Sequence, residues 1–157
     1  MIRLVKTDEV DTISQLALVS KAHWGYSKEF MEACKDELSY TKEMIENEEY
    51  VFYLKESNNT IVGFYVLKKL NSDEVELEAL FLEPMFIKKG FGQELLNHAK
   101  ETAIDFGIKS MHIQADPYAQ DFYEKAGAKL ISKKESGSIP GRYLPLLKLE
   151  LEPFDRN

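Results

Sequence analysis

Residues 74–106 constrain the fold of this chain more than any other stretch. Glu74-Val75-Glu76-Leu77-Glu78-Ala79-Leu80-Phe81-Leu82 alternates with the period of a strand. A loop follows, Pro84-Met85-Phe86-Ile87-Lys88-Lys89-Gly90-Phe91-Gly92, and opens directly into a helical pattern from Gly92 to Phe106. Leu95, Leu96, Ala99, Ala103 and Phe106 fall on one stripe of that helix, with Gln93, Glu94, Asn97, Lys100 and Glu101 on the solvent side. A strand that feeds a helix through a short glycine loop commits the chain to a layered α/β arrangement. The junction also has chemical content. The first N–H groups of a helix lack intrahelical partners and lie at the positive end of its dipole, so they favour anions such as phosphate. Gly90 and Gly92 permit close backbone approach, and Lys88 and Lys89 add positive charge. A diphosphate bound there would imply a nucleotide-containing cofactor.

The commoner phosphate motifs do not fit. G-x-G-x-x-G fails at Leu95, and G-x-x-x-x-G-K-[ST] is absent from the chain. A length of 157 residues suits a single domain, 1–157, large enough to enclose a small-molecule site. The net charge of −7 disfavours non-specific nucleic-acid binding and favours cationic partners such as amines. Cys34 is the single cysteine, which excludes an internal disulfide and suits a reducing compartment. No basic-then-apolar leader opens the sequence, and no apolar run is long enough for a membrane span, so a cytoplasmic location without membrane association is expected. His23, His98 and His112 show no metal-ligand spacing with one another or with Cys34, and no metal is expected.

Along the rest of the chain, helices and strands alternate without repeats or linkers. Ile2 to Val5 reads as a strand, and Thr7 as the N-cap of a helix through Val10, Ile13, Leu16 and Ala17. A second helix starts near Ser27, and the stretch Thr41 to Asn47 can continue it. Tyr50–Lys55 and Thr60–Lys68 read as a hairpin across Ser57-Asn58-Asn59. A strand at 109–114 follows Gly107, Asp116 caps the next helix with Pro117 at its first position, and Lys129–Lys134 with Tyr143–Leu151 closes the chain as a hairpin. Periodicity by itself leads to a mixed α/β sandwich.

Two segments carry a more specific reading. Ile87-Lys88-Lys89-Gly90-Phe91-Gly92 resembles the [Gln/Arg]-x-x-Gly-x-[Gly/Ala] signature of the GNAT superfamily of acetyl-CoA-dependent N-acetyltransferases, departing at Ile87. Asp116-Pro117-Tyr118-Ala119-Gln120-Asp121-Phe122-Tyr123-Glu124-Lys125-Ala126-Gly127-Ala128 is similar to that family's N-x-A-x-x-F-Y-x-x-x-G-F segment, without its Asn and with Ala128 for Phe. The resemblance implies a mostly antiparallel mixed sheet of six to seven strands flanked by about four helices. It implies acetyl-CoA as co-substrate, held by Leu80, Phe81 and Leu82 on the strand, by Ile87, Lys88, Lys89, Gly90, Phe91, Gly92 and Gln93 at the loop, and by Ala119, Phe122 and Tyr123. It also implies an oxyanion donor at a backbone N–H near Leu82.

Acetyl transfer to an amine needs a free lone pair. A lysine-like amine with a pKa near ~10.4 costs about 4–5 kcal/mol to deprotonate at neutral pH, so a positioned base helps. Strand alternation places Val75, Leu77, Ala79 and Phe81 on one face and Glu74, Glu76, Glu78, Leu80 and Leu82 on the other. Glu76 stands at the family's base position, with Glu78 as its rival; a solvated sheet face is the plain alternative. Tyr123 resembles the family's tyrosine that protonates the departing thiolate or holds its sulfur, the alternative being a core aromatic beside Phe122. The acceptor, a small-molecule or peptide amine, would meet the first two helices and the last hairpin loop. Trp24 and Tyr26 would supply an aromatic wall there or only a packing anchor. Arg142 would pair a substrate carboxylate or phosphate, or cap the hairpin. The sequence leaves open a homodimer through strand or helix edges. It also leaves open a catalytically silent acyl-CoA sensor, which would bind the cofactor and have no rate to lose when Tyr123 and the glutamates are removed.

Overall fold

The computed structural model describes residues 1–152 of the 157. Its seven strands are β1 (Ile2–Leu4), β2 (Tyr50–Ser57), β3 (Thr60–Lys69), β4 (Glu74–Leu82), β5 (Ser110–Gln114), β6 (Lys129–Glu135) and β7 (Tyr143–Glu150). They form one sheet in the order β1-β2-β3-β4-β5-β7-β6. Every neighbouring pair is antiparallel except β4 and β5. That parallel pair requires a crossover, which helix α4 (Phe91–Asp105) supplies. The remaining helices are α1 (Val10–Ala22), α2 (Lys28–Cys34), α3 (Lys42–Glu46) and α5 (Gln120–Lys125).

Local chemistry sets several boundaries. Asn58 and Asn59 take left-handed φ values of 51° and 63°, as a two-residue hairpin turn demands, and asparagine tolerates both. The Ser27 hydroxyl accepts from the Phe30 N–H at 3.1 Å and starts α2. Thr41 accepts from the Met44 N–H at 3.2 Å, which starts α3 as a helix of its own. There are accordingly five α-helices among the described residues, in keeping with the about four that the resemblance implies. The expected cap at Thr7 is also replaced. Residues Thr7–Glu9 form a 3-10 turn in which the Glu9 carboxylate accepts from the Lys6 N–H at 2.9 Å and binds Arg3 bidentately at 2.9 and 2.8 Å. The Thr7 side chain makes no capping hydrogen bond among the described residues.

Two cores form, one on each face of the sheet. On one face α4 and α5 cover Tyr65, Leu67, Val75, Leu77, Met111 and Ile113. On the other, Ile13, Leu16, Ala17 and Cys34 from α1 and α2 pack on Leu54, Phe64, Val66 and Ala79. Phe106 does not join the α4 stripe as its spacing suggests. It ends the helix, stays 49% exposed, and lies under the Lys69 ammonium at 4.6 Å.

The alternation of β4 is broken once. Val66 pairs with Ala79, but Leu67 pairs with Leu77, which leaves Glu78 as an extra residue on β4. Below this bulge the odd residues Val75 and Leu77 face α4; above it the even residues Leu80 and Leu82 do. Ala79 and Phe81 turn instead to the α1–α2 core. The expected grouping of Val75, Leu77, Ala79 and Phe81 on one face is therefore corrected: one inserted residue flips every side chain beyond it. Among the described residues no helix is long and apolar enough to cross a membrane.

Candidate active site

The sheet splits at its centre. β4 pairs with β5 only over Glu74–Glu76 and Ser110–His112, then continues to Leu82 paired with β3 alone. β5 meanwhile continues to Gln114 against β7. From Leu77 to Leu82 the β5-facing edge of β4 therefore has no strand partner, and its backbone groups there face a notch in the sheet.

The glycine loop stands at one end of this notch. Gly90 is the N-cap of α4 with φ +86°, and Lys88 precedes it at φ +65°. The first helical bond runs from the Glu94 N–H to the Gly90 carbonyl, which leaves the N–H groups of Phe91, Gly92 and Gln93 without intrahelical acceptors. A Cβ added at Gly90 would meet nothing within 4 Å, so open space lies over the cap. Lys88 and Lys89 are exposed beside it, and Ile87 is half-buried. Phe91 packs edge-on against Phe86, and Gln93 faces solvent with its amide on Asn97 at 2.9 Å. Gly92 faces the notch itself: its added Cβ would lie 3.5 Å from the Phe122 ring and 3.6 Å from Leu82.

Helix α5 closes the other side. Ala119 and Phe122 are half-buried against the core that includes Leu80 and Leu82. Tyr123 is only 6% exposed, and its hydroxyl makes no hydrogen bond among the described residues. No sealed side-chain oxygen or nitrogen lacks a partner there, so this hydroxyl opens onto reachable space. Burial pushes the phenol's pKa up and keeps it protonated, as a donor.

Across the sheet from Tyr123, the bulge presents carboxylates. Glu78 is exposed as a residue, yet partial loss of solvent around its carboxyl, then the charge of Glu76, raise its pKa above the usual value; Lys68 opposes this. Carboxylates elsewhere have cations in contact, as Glu9 has Arg3 and Glu94 has Lys55. Glu76 and Glu78 form no ion pair among the described residues.

Trp24, Tyr26 and Arg142, expected near an acceptor, come together around Asp116. The Arg142 Nη2 donates to the Tyr26 hydroxyl at 2.9 Å, and that hydroxyl donates to Asp116 at 2.8 Å. Lys21 reaches the same carboxylate at 3.4 Å. The Arg142 guanidinium lies 4.7 Å from the Phe30 ring centre and 5.3 Å from that of Tyr26. Trp24 stacks flat on Tyr118 at 5.1 Å and remains 38% exposed. This cluster ties the α1–α2 connection, the β5–α5 connection and the β6–β7 loop together. Arg142 is occupied within it by Tyr26 and Asp116. Asp116 had a sequence signal only as a helix cap, and it does accept from the Tyr118 N–H at 3.0 Å. Its role as the counter-charge to Arg142 and Lys21 depends on residues about 26 and 95 positions away, which no local pattern reveals.

Comparison with known proteins bears on this arrangement. The model of the acetyltransferase (GNAT) family matches residues 17–128. An uncharacterized N-acetyltransferase of Methanocaldococcus jannaschii is 29% identical over 135 residues, covering 80% of this chain. This chain spans only 59% of that relative's length. The crystal structure of the PaiA N-acetyltransferase from Thermoplasma acidophilum in complex with coenzyme A is similar with a TM-score of 0.78 at 24% identity, over 96% of this chain and 98% of that one. The ribosomal-protein-S18-alanine N-acetyltransferase from Escherichia coli matches with a TM-score of 0.72 at 14% identity, over 97% and 94% of the two chains. At these identities the structural likenesses concern the fold.

Proposed function

This chain belongs to the acetyltransferase (GNAT) family, and we propose that it moves an acetyl group from acetyl-CoA directly to the primary amine of a small molecule or peptide. The observation that carries the reading is the split between β4 and β5, with the α4 N-terminus at one end and the free Tyr123 hydroxyl inside. The residues fit the cofactor. The N–H groups of Phe91, Gly92 and Gln93 and the ammonium groups of Lys88 and Lys89 would hold a diphosphate over the open space at Gly90. The unpaired edge of β4 at Leu80–Leu82, with Ala119 and Phe122, would line an extended amide-bearing arm. When bound, acetyl-CoA supplies a thioester with an electrophilic acyl carbon and a thiolate leaving group.

The chain's own residues then divide the proton work. Glu78 at the bulge accepts the proton of the incoming ammonium, directly or through water, because its raised pKa moves it toward the operating pH. The charge of Glu76 beside it keeps the site negative. Tyr123, kept protonated by burial, donates to the departing sulfur. Trp24 and Tyr26 would border the acceptor, with Arg142 holding the loop that covers it.

Calorimetric titration with acetyl-CoA, with ATP and NAD as controls, tests the reading on the natural chain and on Gly90→Glu. The expected result is binding of acetyl-CoA alone, lost in the variant, whose carboxylate would occupy the anion site. No binding of acetyl-CoA by the natural chain would overturn it.

A further inference from the structure

Among the described residues, Gly63 on β3 is the one glycine whose missing side chain makes room for another strand's backbone. Its φ is not left-handed, so the chain conformation does not call for glycine there. A Cβ added to it would stand 2.5 Å from the Phe81 carbonyl oxygen, 2.6 Å from Leu82 Cδ2 and 3.2 Å from Leu82 Cα. The strand pairing explains this closeness. The Glu83 N–H donates to the Val62 carbonyl at 2.9 Å, so the next pair, Gly63 with Leu82, is of the narrow kind without hydrogen bonds. Val62 is also an extra residue on β3 where it pairs with β2, since Lys55 meets Gly63 and Glu56 meets Ile61, and such a bulge bends the strand locally. Leu82 thereby sinks its Cδ2 methyl into the space over Gly63. Its Cδ1 methyl lies on the side of Gly92, 3.6 Å from where a Cβ there would stand, and the Phe122 ring lies 3.5 Å from the same point. One leucine side chain is thus seated between two glycines, and its seat over Gly63 keeps it back from Phe122.

We infer that Gly63 is a positioning residue for acetyl-CoA: by seating Leu82 against β3 it holds open the passage between Leu82 and Phe122 along which the cofactor's extended arm reaches Tyr123. This rests on the acetyltransferase reading above and deepens it with a residue on β3, which pairs with β4 on the edge away from the notch. A side chain at position 63 acts in one direction. A methyl there evicts Leu82 Cδ2, and with β3 behind it the isobutyl group moves to the open side, toward Gly92 and Phe122. The methyl also presses on the Phe81 carbonyl, and a backbone atom has no rotamer to escape into, so the end of β4 must shift as well. Both movements narrow the passage. The free N–H groups at the start of α4 belong to another element and keep their place, so the diphosphate end of the cofactor keeps its contacts.

The test is calorimetric titration of the natural chain and Gly63→Ala with acetyl-CoA and, separately, with 3′-phosphoadenosine 5′-diphosphate, the arm-free end of the same cofactor. Acetyl-CoA should bind Gly63→Ala roughly tenfold more weakly than the natural chain, as overpacking of a close contact predicts, while the arm-free nucleotide binds both within about twofold. A role in folding alone would weaken both ligands together or neither. Circular dichroism melts of each variant check that the folded chain is the one titrated. Leu82→Phe keeps Gly63 and crowds the same passage from within; it is the variant to use where Gly63→Ala does not accumulate folded, and the same selective loss is expected from it. Unchanged acetyl-CoA affinity in either folded variant, or an equal loss for both ligands, would overturn the inference and leave the transferase reading in place. Failure of the natural chain to bind acetyl-CoA would remove both.

Discussion

Alanine at Gly90 and at Gly92 should have opposite effects on stability, although both glycines belong to one motif. Gly90 has φ +86°, and an L-residue held there costs about 1–2 kcal/mol, with no contact to offset it because its Cβ meets nothing within 4 Å. Gly92 is the second residue of α4 with no left-handed φ, and its Cβ would make ordinary contacts at 3.5 Å with Phe122 and 3.6 Å with Leu82. A glycine-to-alanine change inside a helix gains roughly 0.5–1 kcal/mol. The two variants should thus differ by about 1.5–3 kcal/mol. At about 2–4 °C per kcal/mol for a chain of this size, Gly90→Ala should melt about 2–8 °C lower and Gly92→Ala about 1–4 °C higher than the natural chain. Thermal melts followed by circular dichroism measure this. Binding should not follow stability, since the Gly92→Ala methyl narrows the passage between Leu82 and Phe122 and should weaken acetyl-CoA in calorimetry. A Gly90→Ala variant as stable as the natural chain, or a destabilised Gly92→Ala, would refute the reasoning about the loop.

Three further outcomes follow from the same geometry. Tyr123→Phe should keep its melting temperature, because the hydroxyl has no internal partner, and lose kcat by roughly 10²–10⁴-fold with the KM for acetyl-CoA little changed; steady-state kinetics read both. Glu78 has a folded pKa above its unfolded one, so its contribution to stability is fully present below the unfolded value and is lost as pH rises through the folded value. Glu78→Gln should therefore melt higher than the natural chain at neutral pH, with the gain vanishing near pH ~4, while acetyl transfer falls and its basic-side rise flattens. Asp116→Ala leaves Lys21 and Arg142, with 14% and 18% exposed side chains, without their shared carboxylate. A loss of about 1–3 kcal/mol is expected in denaturant melts, with looser acceptor binding as the β6–β7 loop comes free.

Much of this arrangement is legible along the chain because it is local. The strand-to-helix junction at 74–106, the Asn58-Asn59 turn, the Ser27 cap and the buried Cys34 each follow from neighbours within a few residues. What escapes is set by distant partners. Glu74–Leu82 alternates without a flaw, and the extra residue at Glu78 exists only relative to its pairing with Val66 and Leu67. The bulge therefore sets where Glu78 stands on the strand, which its own alternation does not show. Glu9, held by Arg3, makes the side-chain bond at the first turn instead of Thr7, and Phe106 leaves the helix stripe to lie under Lys69. Arg142 and Tyr26 carry signals of polarity and aromaticity, but only the fold shows them joined through Asp116.

The most direct test is an acetyl-transfer assay with acetyl-CoA and a panel of amines, in which free thiol and N-acetylated product are counted together on the natural chain and on Gly90→Glu. Thiol release matched by acetylated amine in the natural chain, and absent from the variant, is the result this account predicts. Tight acetyl-CoA binding with no acetylated amine from any member of the panel would contradict it and mark the chain as a silent acyl-CoA binder.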